Sequence, residues 1–238
     1  MNADGHRRAI AGRRVRALLF DFDGVLWDSE RASFQAWRET YAEHGQEYSL
    51  DRFAGILGTL RGGDPLGELE RLVGPAFDRE AVGERRRRRK MALLEGAGPL
   101  PGVVEYLREA RARGLRLAIV STDDHAWISG GLRRIGLTGW WDLIECAEGD
   151  VSRAKPSPAL YVTALERLDL SADAAIAIED SPNGIAAAKA AGLYCLAVAN
   201  AVTERLDLSA ADLTVRSLAD LPLPELLRRV EGDGARGG

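Results

Sequence analysis

From residue 102 to residue 198 the chain alternates short apolar runs with amphipathic stretches, and this limits the fold more than any other feature. The runs at 115–120 (LRLAIV), 143–147, 174–178 (AAIAI) and 193–198 have the length and composition of buried strands. The stretches at 103–113, 127–135, 158–168 and 182–191 carry helical spacing, and Gly114, Gly136 and Gly192 stand where three of them stop. An earlier run, 15–20 (VRALLF), reads as a further strand. Strands alternating with helices predict an α/β fold, a Rossmann-like parallel sheet with helices on both faces. Ligands of such sheets bind beyond the carboxyl ends of the strands.

Residues 30–96 have a different texture. Phe34, Trp37 and Tyr41 share a face of a helix over 29–44, with Ser29 as its expected N-cap. Leu50, Phe53, Ile56 and Leu57 suggest a second helix, 58–63 a loop, Leu66, Leu69 and Leu72 a third helix, and 81–94 a fourth. No strand candidate interrupts them, and GAGPLP at 96–101 ends the series. The organisation expected is a core of residues 14–29 and 97–231, a small all-helical unit at 30–96, and flexible tails at 1–13 and 232–238. The run RRRRRK at 85–90 has no interleaved aromatics and reads as a solvated helix face.

Composition narrows the partners. The 238 residues are 46% hydrophobic and carry a net charge of −4, which fits a globular chain and argues against nucleic acid as ligand. No apolar stretch approaches the roughly 18 residues of a membrane helix, so no membrane partner is expected. No apolar segment follows the N-terminal arginines as in a signal peptide. Cys146 and Cys195 lack metal-binding spacing and read as reduced thiols of a cytoplasmic protein, expected to be a monomer. Only three lysines occur, Lys90, Lys155 and Lys189, so each is a candidate for a role.

The residues just past the strands carry the chemistry. Asp21, Asp23 and Gly24 follow the first, Ser121 and Thr122 the second, Lys155 lies beyond the third, and Glu179 and Asp180 end the fourth. Carboxylates gathered at one sheet edge repel unless a cation sits among them, and hard oxygen ligands in an open site suggest Mg²⁺. A lysine and hydroxyl donors beside such a metal suit a phosphoryl group. Asp21 and Asp23, two apart in extended chain, point the same way, so one can attack while the other transfers protons.

On these residues the sequence resembles the haloacid dehalogenase superfamily. DFDGVLWDS at 21–29 is similar to its first motif, Ser121 to the second, Lys155 to the third and EDSPNG at 179–184 to the fourth. The resemblance spans about residues 15–200, and the helical insertion is similar to the C1 type of cap. The nearest branch is the β-phosphoglucomutase-like one, with its many small-metabolite phosphatases. The resemblance implies that Asp21 is a nucleophile forming an aspartyl-phosphate and Asp23 the acid and base. It implies that Ser121 and Lys155 bind the phosphoryl group, helped by Thr122, and that Gly24 lets the backbone approach it. Mg²⁺ falls to Asp21, the Asp23 carbonyl, Asp180 and Glu179, the last directly or through its neighbours. Arg61 falls where sugar-phosphate members carry a substrate-binding arginine of the cap.

Two mutase features are missing: Ser33 stands where mutases carry a histidine, and Leu57 where they carry a cap lysine. The expected function is therefore a Mg²⁺-dependent phosphatase acting on a small phosphorylated metabolite, a sugar phosphate by class. The alternatives are a phosphomutase and a non-catalytic binding module on the same fold. Trp127, Trp140 and Trp141 read as packing residues.

Overall fold

The computed structural model describes residues 14–59 and 63–232. Arg61 and the expected tails, Gly232 apart, lie outside the described residues. Strands β1 (Ala17–Phe20), β2 (Arg116–Ser121), β3 (Leu143–Cys146), β4 (Ala175–Glu179), β5 (Tyr194–Val198) and β6 (Leu213–Val215) form one parallel sheet in the order β3-β2-β1-β4-β5-β6. The chain builds outward from β1 through β2 to β3, then returns to add β4 on the other side. The reversal opens a crevice at the carboxyl end of β1.

Period-2 alternation divides the strands between two core layers. Leu18, Phe20, Leu117, Ile119, Ile176 and Ile178 face one layer. There they meet α5 (Val103–Ala112), α6 (His125–Ile135) and α9 (Leu223–Glu231). Ala17, Leu19, Ala118, Val120, Ala175 and Ala177 face the other, against α7 (Ala159–Leu168) and α8 (Pro182–Ala190). Both faces are covered, which is why the strands read as continuous apolar runs rather than as alternating ones.

The insertion folds as α1 (Ser29–Ala42), α2 (Leu50–Ala54), α3 (Pro65–Val73) and α4 (Arg79–Leu93). It has its own core of Trp37, Tyr41, Tyr48, Phe53, Leu57, Leu69 and Val82, joined from the sheet side by Val202. Arg89 of α4 donates to Glu39 of α1 at 3.0 Å, tying the two long helices together.

Four readings are corrected. Ser29 is the first residue of α1, not its cap; Asp28 holds the cap position and makes no side-chain capping bond. The 85–90 run is not uniformly solvated. Arg86 is half-buried with its guanidinium 4.3 Å from the Trp37 ring centre, and Lys90 turns toward the sheet. Strand β6 has no counterpart in the sequence reading, because three residues are too few for a periodic signal. Helix α9 also has none, although Leu223, Leu226, Leu227 and Val230 carry helical spacing and are buried.

Candidate active site

Asp21 extends the β1–β4 pairing by one bond, its N–H reaching Ile178 O at 2.9 Å. The chain then turns sharply: Leu26 N donates to Phe22 O at 3.0 Å and Gly24 N to Trp27 O at 2.8 Å. This turn carries Asp23 back beside Asp21. Gly24 has φ +76°, and a Cβ there would meet Asp180 Oδ2 at 2.1 Å. Its lack of a side chain thus makes room for Asp180; Gly24 does not line the cavity where a substrate would sit.

That cavity, of about 170 Å³, lies between the sheet edge and the helical insertion. Asp21, Asp23, Ser121, Thr122, Asp123 and Asp180 form its floor, and Glu30, Ser33, Phe53, Leu57, Thr59 and Lys90 are among the residues of its roof. A larger apolar cavity, about 740 Å³, lies beside α5 between Pro99 and Pro224, and none of the sheet-edge carboxylates lines it.

The floor is an arrangement of buried charges. Lys155 Nζ lies 2.5 Å from Asp21 Oδ1 and 2.7 Å from Glu179 Oε1. Burial opposes its charge, yet the two carboxylates hold its pKa above the ordinary lysine value. Glu179 is fully buried; Tyr161 Oη donates to its Oε1 at 2.6 Å, and a Cβ at Gly184 would meet its Oε2 at 1.8 Å. The glycine of EDSPNG is therefore the space this carboxylate fills. Asn200 Nδ2 donates to Asp180 Oδ2 at 2.7 Å and to Gly24 O at 3.2 Å. Ser121 Oγ accepts from Asp123 N at 3.1 Å, and Thr122 Oγ1 accepts from Lys155 N at 3.3 Å.

The carboxylates outnumber the cation among them. Burial, with Glu179 and Asp23 nearby, pushes the Asp21 carboxyl up to about 7 against the pull of Lys155. Burial and Asp21 push Asp180 well above the usual carboxylate range. Glu30, under the roof, is raised to about 8 by burial and then by Asp23. Oxygens of Asp21, Glu179 and Asp180 lie within 4.8 Å of one another. This all-oxygen, negatively charged donor set fits a small hard cation such as Mg²⁺.

The roof is docked on the floor. Thr122 Oγ1 donates to Gly58 O at 3.1 Å and Asn183 Nδ2 to Leu57 O at 2.8 Å. A Cβ at Gly58, where φ is +64°, would meet Ser181 Oγ at 2.5 Å.

The geometry thus gathers Asp21, Asp23, Ser121, Thr122, Lys155, Glu179 and Asp180 from the carboxyl ends of β1, β2 and β4 and the loop after β3. Sequence reasoning did not find Tyr161, Asn200 and Trp127. Trp127 Nε1 donates to both oxygens of Asp23, at 3.1 and 3.0 Å, so its role is not packing alone. No spacing marks these three, since each is brought in by a different loop or helix. Lys90 carried a signal, the scarcity of lysine.

A family model of haloacid dehalogenase-like hydrolases matches residues 15–192. The chain belongs to the haloacid dehalogenase-like hydrolases. YhcW of Bacillus subtilis (strain 168), which bears a phosphatase name, is 37% identical over 213 residues, 90% of this chain and 96% of that protein. The phosphorylated carbohydrates phosphatase of Thermotoga maritima is 30% identical, over 75% of this chain and 82% of its own. Among solved structures, CbbY from Rhodobacter sphaeroides in complex with xylulose-(1,5)bisphosphate superposes with a TM-score of 0.72 at 29% identity, covering 89% of this chain and 99% of that one. The β-phosphoglucomutase of Clostridium difficile, at 21% identity and a TM-score of 0.71, shares the fold. The haloacid dehalogenase-like sheet and its helical insertion are thus a shared architecture.

Proposed function

We propose that this hydrolase is a Mg²⁺-dependent phosphatase that removes the phosphoryl group of a small sugar phosphate through an aspartyl-phosphate on Asp21. The observation that carries the reading is the Lys155–Asp21 pair, buried at the floor of a 170 Å³ cavity with Asp23, Ser121 and Asp180 around it. The relatives named for phosphorylated carbohydrates support the substrate class.

In this reading a carboxylate oxygen of Asp21 attacks phosphorus while the ester oxygen leaves, taking a proton from Asp23. Asp23 then removes a proton from the water that attacks the aspartyl-phosphate, which returns Asp21 and releases phosphate. Lys155 offsets charge on Asp21 and the phosphoryl oxygens, and Ser121 donates to one of those oxygens. Glu179 and Tyr161 hold Lys155 in place. Asp21, the Asp23 carbonyl and Asp180 would hold Mg²⁺, whose chemistry is to neutralise the phosphoryl oxygens and orient them. Glu179, whose Oε1 is engaged by Lys155 and Tyr161, would serve the metal through its other oxygen or through its neighbours. The docked roof shields the reacting centre from bulk solvent and leaves the cavity that takes the substrate and the attacking water. Gly24 acts through Asp180, and Arg61 remains the candidate contact for the sugar.

The mutase alternative is disfavoured by two walls of the cavity. Ser33 and Leu57 line it in place of the residues that mutases use. The test is phosphate release across sugar phosphates, phosphoglycolate and nucleoside monophosphates, with Mg²⁺ and with chelator. Release that needs Mg²⁺ and disappears in Asp21→Asn supports the reading. Conversion of a hexose 1-phosphate to its 6-phosphate, given a bisphosphate activator, would replace it with the mutase. No turnover of any substrate would favour a binding module.

A further inference from the structure

Asp23 must aim an oxygen first at the leaving group and then at water, yet a carboxylate rotates broadly about its last bond. Asp123 shares a hydrogen bond with this carboxylate, and two donors limit its rotation further. Ser29 Oγ donates to Asp23 Oδ1, and Trp127 Nε1 bridges both oxygens, at 3.1 and 3.0 Å. Trp127 lies in the first turn of α6, where Asp124 caps the helix by accepting from the Trp127 N–H at 2.7 Å. Its ring packs against Trp27, with centroids 5.6 Å apart. Lys90, from α4 of the insertion, places Nζ 4.1 Å from the ring centre, a cation–π contact. The indole is therefore held by the core through Trp27 and by the roof through Lys90.

We propose that Trp127 is a positioning residue for Asp23, and that Lys90, seated on the indole, makes this positioning depend on the roof being docked. The proposal rests on the phosphatase reading for the role of Asp23. A tryptophan that only packed would be replaced by phenylalanine without consequence for Asp23. The bridging N–H is what phenylalanine lacks.

Two measurements on the full chain test it. The first needs no substrate. In protein labelled with ¹⁵N at the tryptophan indoles, the signal missing from Trp127→Phe identifies Trp127. Asp23→Ala is expected to move that signal upfield in the proton dimension as the carboxylate partner is lost, and an unmoved signal overturns the contact. The second compares kcat/KM for p-nitrophenyl phosphate with that for the sugar phosphate the wild type hydrolyses fastest. The nitrophenol leaves without help from an acid, whereas a sugar alkoxide needs the Asp23 proton.

Trp127→Phe is expected to lower kcat/KM for the sugar phosphate about ten- to hundredfold, within what general acid catalysis supplies. The value for p-nitrophenyl phosphate should stay within about threefold, a bound allowing for minor repacking. Trp127→His, which keeps a ring N–H, should restore part of the loss. Lys90→Met, at a half-buried position on α4, should reproduce the same selectivity more weakly; it also serves if Trp127→Phe fails to fold. Equal losses on both substrates in either variant would overturn the proposal. If the wild type hydrolyses neither substrate, the phosphatase reading fails and with it the assigned role, while the indole signal still decides whether the contact exists.

Discussion

Replacing Gly58 by alanine separates docking of the helical insertion from folding. Gly58 has φ +64°, and a left-handed alanine costs about 1 kcal/mol. Gly45 has φ +68° with nothing within 4 Å of a built Cβ, so Gly45→Ala carries the same strain and no collision. The new methyl at Gly58 would sit 2.5 Å from Ser181 Oγ. Ser181 cannot turn away without giving up the Gly184 N–H it caps at 3.1 Å, a loss of about 1 kcal/mol. The other escape is for the insertion to lift, breaking the Thr122–Gly58 and Asn183–Leu57 bonds, about 1 kcal/mol each.

The docked state is therefore disfavoured by about 1–2 kcal/mol beyond the shared strain, or roughly 5- to 30-fold. Thermal melts should show Gly45→Ala lowered by about 2–4 °C from the strain, and Gly58→Ala lowered by about 2–8 °C more from the lost contacts. Phosphate release should show kcat/KM reduced about 5- to 30-fold in Gly58→Ala and unchanged in Gly45→Ala. Equal activity in the two variants would refute the claim that the Gly58–Ser181 contact belongs to the working enzyme.

Three further outcomes are expected. Tyr161→Phe removes a donor from the fully buried Glu179 and should cost about 1.5–3 kcal/mol, read as a lower midpoint in urea; an unchanged midpoint would show that Lys155 alone suffices. Mg²⁺ should raise the melting temperature of the wild type by relieving repulsion among Asp21, Glu179 and Asp180, and Asp180→Asn should blunt that response; a metal-insensitive melt would count against the donor set. Hydrogen bonds from Arg89 and Gln35 hold the Glu39 carboxyl at about 2, below its ordinary 4.5. Its contribution is complete above pH 4.5 and is lost as pH falls toward 2, so the melting deficit of Glu39→Gln should be largest near neutrality and shrink toward pH 3. A deficit that stays constant with pH would point to lost packing.

The legible part of this protein was the part written in local pattern. The strands β1 to β5 and the helices between them follow from apolar runs broken by glycines, because a sheet covered on both faces leaves little room for polar residues away from its carboxyl edge. The candidate residues Asp21, Asp23, Ser121, Lys155, Glu179 and Asp180 were found for a related reason. In a parallel sheet every strand's carboxyl end opens on the same edge, so chain order alone gathers them there. The resemblance of DFDGVLWDS and EDSPNG to known motifs then gave roles to positions already marked.

Other features depend on distance in space. Lys155 and Asp21 lie 134 residues apart, and Asn200 reaches Gly24 across 176, separations at which no spacing rule operates. Why EDSPNG ends in glycine becomes clear only when the Glu179 carboxylate is seen in the space a Cβ would take. Trp127 and Lys90 read in sequence as a packing residue and the end of a solvated run, since side-chain chemistry does not reveal direction. Local pattern along the chain sets the layers of the core, the edge that holds the chemistry and the residues able to perform it. Which of those residues touch, how the insertion docks over them and which bystanders hold them in place are set by the folded arrangement. Those relations come from packing between distant elements, and no local stretch of chain contains them.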